Sequence, residues 1–172
     1  MSQPEVWLRG PISGICPALM PVAHALLQAR EDGERVAATL TVEELWRKPG
    51  GAASAGFHLR HIAGSVSRLL TYARGGQLDE SQRRALASEQ EPGHPPQDSP
   101  VLVQALRETV DSAMRQLQET PAESLAEERR VGRAGLPSTV LGLLFHAAEH
   151  AQRHTGQLIT TVKIVQSGKG GE

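Results

Sequence analysis

Seven histidines stand in a chain of 172 residues, and three of them, His146, His150 and His154, recur at every fourth position. In an α-helix a four-residue step turns about 400°, so each imidazole stands about 40° round from the last and one turn further along. Two rings so spaced can grip a single metal ion from one helix. His58 and His61 lie three apart, on a common face of another helical stretch. Neutral imidazole suits Zn, Ni, Cu and Fe, and a centre with three histidines keeps a coordination position open. A lone histidine near an apolar stripe is ordinarily a hydrogen-bonded core residue. Three in consecutive i, i+4 register, on a helix otherwise lined with Leu and Ala, argue for more, because several buried imidazoles each need a partner and one metal satisfies several. Spacing alone leaves the ligand pair open: 146 with 150 is as good as 150 with 154.

The same residues contain a competing pattern. His146-Ala-Ala-Glu149-His150 matches H-x-x-E-H, the inverted zincin motif, which needs a further acidic ligand well downstream. Only 22 residues follow His150, and Glu172 is their one acid. That context is wrong for a protease, and Glu149 reads as a flanking residue or one that orients a ligand.

The elements that must position these rings follow from the apolar spacing. Ile15, Leu19, Val22, Leu26, Ala29, Gly33, Val36 and Leu40 alternate steps of four and three, which predicts a helix beginning near Pro17 or Pro21. Thr41-Val-Glu-Glu44 is a capping-box signature for a short helix closed by Pro49-Gly50-Gly51. A second long helix runs from Ala52 or Ser54 through Tyr72 to Gly75-Gly76. Residues 79–90 predict a short polar helix of mostly solvated side chains, followed by the proline-rich connection EPGHPPQDSP. A third long helix spans about Ser99 to Glu119, with Val103, Leu106, Val110, Ala113 and Leu117 as its stripe. A charged turn and the loop VGRAGLP lead to a fourth, capped by Ser138 and lined by Val140, Leu144, Ala147, Ala151, Leu158, Val162 and Val165. No internal repeat and no strand pattern stands out. The expected fold is all-α: a four-helix bundle with a long crossover connection and short extra helices, one domain over 1–172 with a frayed tail at about 167–172.

Composition narrows the partners. Lys plus Arg number 18 against 19 Asp plus Glu, giving a formal charge of -1. That balance lacks the positive field of a nucleic-acid binder, and five aromatics (Trp7, Trp46, Phe57, Tyr72, Phe145) offer little for base stacking. Trp7 and Trp46 read as packing anchors. The single Cys16 excludes an internal disulfide framework and suits a reducing compartment. Arg9 and the apolar run that follows mimic a signal peptide, but Pro11, Pro17 and Pro21 interrupt the run, and the apolar pattern continues beyond Ala25. No stretch reaches the roughly 18–20 apolar residues of a membrane span. The expectation is a cytoplasmic protein with no nucleic acid and no membrane among its partners.

Two segments carry a family resemblance. FHLRHIAGSVSRLL (57–70) and LLFHAAEHAQRHTGQLITTVKIV (143–165) resemble the signature helices of the DinB-like superfamily, and MPVAHALLQARED (20–32) resembles its first helix. The order of elements matches over about residues 12–166. The resemblance implies a four-helix bundle related to bacillithiol- and mycothiol-linked transferases and isomerases, with a divalent metal held by one histidine of the second helix and two of the fourth. Carried over residue by residue, those are His61 in HIAGS and His150 and His154 in EHAQRHTGQ. His146 falls where the family often has a histidine that is not a ligand. Many members carry Arg directly before the Gly-Gln; here Thr155 stands there, with Arg153 nearby, a departure that bears on substrate more than on the metal.

His58 and His146 remain second-rank ligands, His24 a residue of the first helix and His94 a solvated loop residue. The expected function is a divalent-metal-dependent enzyme, with Zn or Ni on His61, His150 and His154. It would act on a small-molecule substrate, with a low-molecular-weight thiol as the candidate, by S-transfer, isomerisation or hydrolysis. The alternative is a non-catalytic metal- or ligand-binding bundle, since Glu149 is the one carboxylate in the immediate sequence of the triad. A third reading is a purely structural dimerisation unit. Bundles of this family commonly pair, so a homodimer is expected.

Overall fold

Apolar residues recurring at three and four along four stretches become the buried stripes of four long helices. The structure, a computed structural model, describes residues 3–168. Helix α1 (Met20–Ala37) follows a 3-10 turn at Pro17–Leu19, and Pro21 sits in its first turn, where a missing N–H leaves no helical bond unmade. The short α2 (Val42–Trp46) opens with a full capping box: Glu44 N donates to Thr41 Oγ1 at 3.3 Å, and Thr41 N donates to Glu44 Oε2 at 2.9 Å. Helix α3 (Ala55–Ala73) is capped by Ser54, whose Oγ accepts from Phe57 N at 3.1 Å. Beyond it come α4 (Glu80–Ala87), capped by Asp79, and α5 (Ser99–Glu119), capped by Asp98. Helix α6 (Val140–Ser167) is the longest.

Helices α1 and α3 each pack against both α5 and α6, which puts α1 diagonally across from α3, and α5 across from α6. Leu26, Leu59, Ile62, Val66, Leu106, Val110, Leu144 and Leu158 fill the centre, almost wholly removed from water. Every residue of the expected stripes of α5 and α6 is buried; on the first stripe only Leu40 is partly exposed. Gly33 explains why a glycine belongs on that stripe. A Cβ there would meet Leu106 Cδ2 at 2.9 Å, so α1 and α5 approach through the space it leaves.

Three local expectations are corrected. Residues expected to form a charged turn and loop instead form an antiparallel hairpin, β1 (Glu128–Val131) with β2 (Leu136–Thr139), in register Glu128 with Thr139 and Val131 with Leu136. Positive φ at Gly132 (67°) and Gly135 (60°) turns the chain, and Arg129 Nε donates to Ala73 O at 2.7 Å, fastening β1 to the end of α3. The cap of α6 is Thr139 and not Ser138: the helix starts at Val140, so Thr139 is the residue directly before it, and its Oγ1 accepts from Gly142 N at 3.0 Å. Trp7 is 61 % exposed and anchors nothing in the core, whereas Trp46 packs against it. Of the tail expected to fray, 169–172 lies outside the described residues. Among the described residues, no helix is long and apolar enough to cross a membrane.

Candidate metal centre

Helices α3 and α6 form the most extensive helix pair of the bundle, and both histidine groups face along it. From α3 come His58, which is buried, and His61, which is partly exposed; from α6 come His150 and His154, also partly exposed. Each of His61, His150 and His154 offers one ring nitrogen, and the three nitrogens lie within 4.8 Å of one another. The rings of His61 and His154 are 4.4 Å apart between centroids, and those of His150 and His154 are 4.6 Å apart. The closest approach is His61 Nε2 to His150 Nε2, at 2.8 Å.

Helical geometry could not choose between 146/150 and 150/154; the tertiary arrangement brings 150 and 154, and not 146, together with His61. His146 is exposed on the far side of His150, its Nδ1 at 3.3 Å from Glu149 Oε2, and it does not join the cluster. Glu149 forms a surface ion pair with Arg153, whose hydrogen bond holds its carboxyl below the usual range. His58 touches the cluster from one side, its Nδ1 at 3.1 Å from His154 Nδ1. His24 meets Gly10 O at 3.0 Å, and His94 is exposed; neither is near the three.

The supporting residues begin with the aromatic start of α3. Phe57 stacks on the His61 ring at 5.1 Å and 17°. A Cβ at Gly56 would meet three ring carbons of Trp46 at 2.9 Å, so the indole lies flat against α3 at that glycine. Trp46 Nε1 donates to Gln97 O at 2.8 Å, and the Arg60 guanidinium covers the indole at 4.7 Å.

One participant was missed from sequence. Glu89 lies in the turn just after α4, within a segment expected to be solvated, yet it is only 4 % exposed. Its Oε2 accepts from His61 Nδ1 at 2.7 Å and its Oε1 from Arg68 Nη1 at 2.6 Å. Burial raises the pKa of that carboxyl, but hydrogen bonds from His61 and Arg68 outweigh it and leave it below the usual carboxylate range. The signal that could have found it is Gly64, a glycine in the middle of a helix with no turn to make.

The donor set fits a divalent metal. Burial pulls the pKa of His154 down to about 4 and lowers that of His150, so both rings are neutral at pH 7, as ligands must be. His61 faces a carboxylate through Nδ1, which therefore carries the hydrogen and leaves the Nε2 lone pair toward the cluster. His150 Nδ1 is buried without a hydrogen-bond partner, so the polar contacts of that ring are made through Nε2. The His58–His154 contact joins their Nδ1 atoms, so Nε2 of His154 takes no part in it. His58, and none of the three clustered histidines, lines a groove of about 490 Å³ together with Ala53, Arg153, Thr160, Thr161 and Ile164.

Comparison with known proteins bears on the fold and the family. The solved structure of a conserved protein from Enterococcus faecalis matches with a TM-score of 0.70 at 18% identity, covering 87% of this chain and 97% of that one. A DinB-like protein from Bacillus cereus matches with a TM-score of 0.61 at 18% identity, covering 83% and 91%. At that identity the likeness speaks for the fold. No curated protein matches the chain. The family model described as the DinB superfamily matches residues 25–158, which include both helices that carry the cluster, and the chain belongs to that superfamily.

Proposed function

We propose that His61, His150 and His154 hold one divalent cation, Zn or Ni, and that the protein is a metal-dependent enzyme acting on a small molecule. The observation that carries this reading is the convergence of three ring nitrogens from two helices, with the far nitrogen of His61 already engaged by a buried carboxylate. A cation bound there supplies Lewis acidity, lowering the pKa of a thiol or water in its remaining position or polarising a carbonyl. The protein's part is to bring the three rings to one point, to engage Nδ1 of His61 with Glu89 and to shield the rings by the bundle on one side. Resemblance of the HIAGS and H-x-x-x-H-x-G-Q segments to thiol-linked members of the superfamily supports a low-molecular-weight thiol as co-substrate, in S-transfer, isomerisation or hydrolysis. Cytoplasmic location and assembly as a homodimer belong to the same proposal; light scattering returning a monomer at micromolar protein would remove the second.

A non-catalytic metal- or ligand-binding bundle is favoured by one specific observation. Glu89, the carboxylate that touches the cluster, is committed to His61 and Arg68 and has no evident freedom to move a proton to a substrate. Metal analysis of the purified protein, repeated on His61→Ala and His154→Ala, tests the centre: about one metal per chain is expected, lost in both variants. Thiol-conjugation assays on Zn- and Ni-loaded protein then separate the two readings. Full loading without turnover of any common thiol removes the transferase.

A further inference from the structure

Three residues around Glu89 have no role in the bundle core, yet they are arranged about a single hydrogen bond. Arg68, itself buried, holds Glu89 Oε1 at 2.6 Å from the next turns of α3, while Oε2 reaches His61 Nδ1 at 2.7 Å. Gly64 lies between them on the same helix. A Cβ there would stand 2.5 Å from Glu89 Oε1 and 2.8 Å from Arg68 Nη1, so the carboxylate occupies the space that a side chain would take. The turn bearing Glu89 is in turn fastened to α3 by Arg60, whose Nη1 donates to Ser88 O at 3.0 Å and also to Glu91 O.

We infer that Glu89 is a positioning residue that fixes the tautomer of His61 and so presents its Nε2 lone pair to the metal centre, with Gly64 and Arg68 built to hold the carboxylate in place. The inference rests on the metal reading above. An imidazole has one hydrogen to share between two nitrogens in its neutral state, and the acceptor at one nitrogen decides which keeps it. A carboxylate accepts only, so His61 is held as the Nδ1–H form, the form that can coordinate through Nε2. Replacement by an amide reverses the preference. Arg68 offers only donors, so the oxygen of a glutamine at 89 turns to Arg68 and its NH2 faces His61 Nδ1. That arrangement favours hydrogen on Nε2, where it blocks coordination.

The test compares wild-type protein with Glu89→Gln and Gly64→Ala by zinc competition against a chromogenic chelator, and by long-range 1H–15N correlation spectra of His61 in the metal-free proteins. Gly64→Ala keeps the carboxylate but takes its place, and alanine favours helix over glycine, so this variant covers the case in which Glu89→Gln does not fold. Zinc affinity is expected to fall about 10–100-fold in both variants. The spectra are expected to show the Nδ1–H form of His61 in wild type and a shift toward Nε2–H in Glu89→Gln. Unchanged affinity in the folded variants, or His61 remaining Nδ1–H in Glu89→Gln, overturns the positioning role. Wild-type protein that takes up no zinc overturns the metal reading instead, while the tautomer spectra still decide what Glu89 does to the ring.

Discussion

Acidification of the metal-free protein should destabilise it well above the range in which carboxylates titrate, because His58 is folded into the bundle uncharged. Its side chain is buried, and that burial, with a lesser contribution from the nearby His61, draws its pKa from 6.5 down to about 4. Between those values the unfolded chain binds a proton at this position and the folded chain does not, so unfolding is favoured as pH falls. The contribution of His58 is complete above pH 6.5 and is lost as pH drops toward 4; below 4 both states are protonated and nothing more is lost. A fall from 6.5 to about 4 corresponds to about 3 kcal/mol, or close to 1.4 kcal/mol per pH unit in the middle of the window. His154, also drawn to about 4 and in contact with His58, adds slope in the same direction. The assay is urea unfolding of chelator-treated protein at several pH values between 7.5 and 4, with the m-value checked for constancy. His58→Asn should flatten the profile by about one proton. Wild-type stability that stays level from pH 7 to 5 would show that His58 is accessible to protons in the folded state, and the account of a neutral buried ring would fail.

Other perturbations probe the frame around the cluster. Gly56→Ala puts a methyl group 2.9 Å from the Trp46 ring and should cost about 1–3 kcal/mol, with a red shift in Trp46 emission read against a Trp7→Phe background. Thr41→Ala removes the capping box of α2 and should cost about 1 kcal/mol in thermal unfolding, without changing metal uptake. His146→Ala, outside the cluster, should retain wild-type metal stoichiometry; loss of metal in that variant would return the ligand assignment to the 146/150 pair.

The bundle was legible because its signal is repeated. Val103, Leu106, Val110, Ala113 and Leu117 announce one face of α5 several times over, and the capping box at Thr41 marks where α2 begins. The hairpin was not, because its strands are four residues each, mostly polar, and held by a tether from Arg129 to α3 that no local pattern encodes. Periodicity showed the histidines as two groups, but only the family resemblance singled out His61 with His150 and His154 as the ligand set. Glu89 escaped both routes. Its burial follows from a chain reversal after α4 and from the missing side chain at Gly64, and a single acid in a polar stretch carries no trace of either. Trp7 shows the opposite error, a large apolar residue read as a packing anchor that lies mostly in water while its neighbour Val6 is buried.

Arg60 joins two connections that are far apart along the chain. One face of its guanidinium rests on Trp46, at the end of α2, and its hydrogens reach main-chain oxygens at 88–91 and the side chain of Gln97. Trp46 closes the loop by donating to Gln97 O. The segments before and after α3 therefore share one fastening and belong to one cooperative unit. Amide exchange at 88–97 and at α2 should rise together whenever either opens, so that mobility at one edge of the histidine cluster is transmitted to the other through Arg60 and the Trp46–Gln97 hydrogen bond.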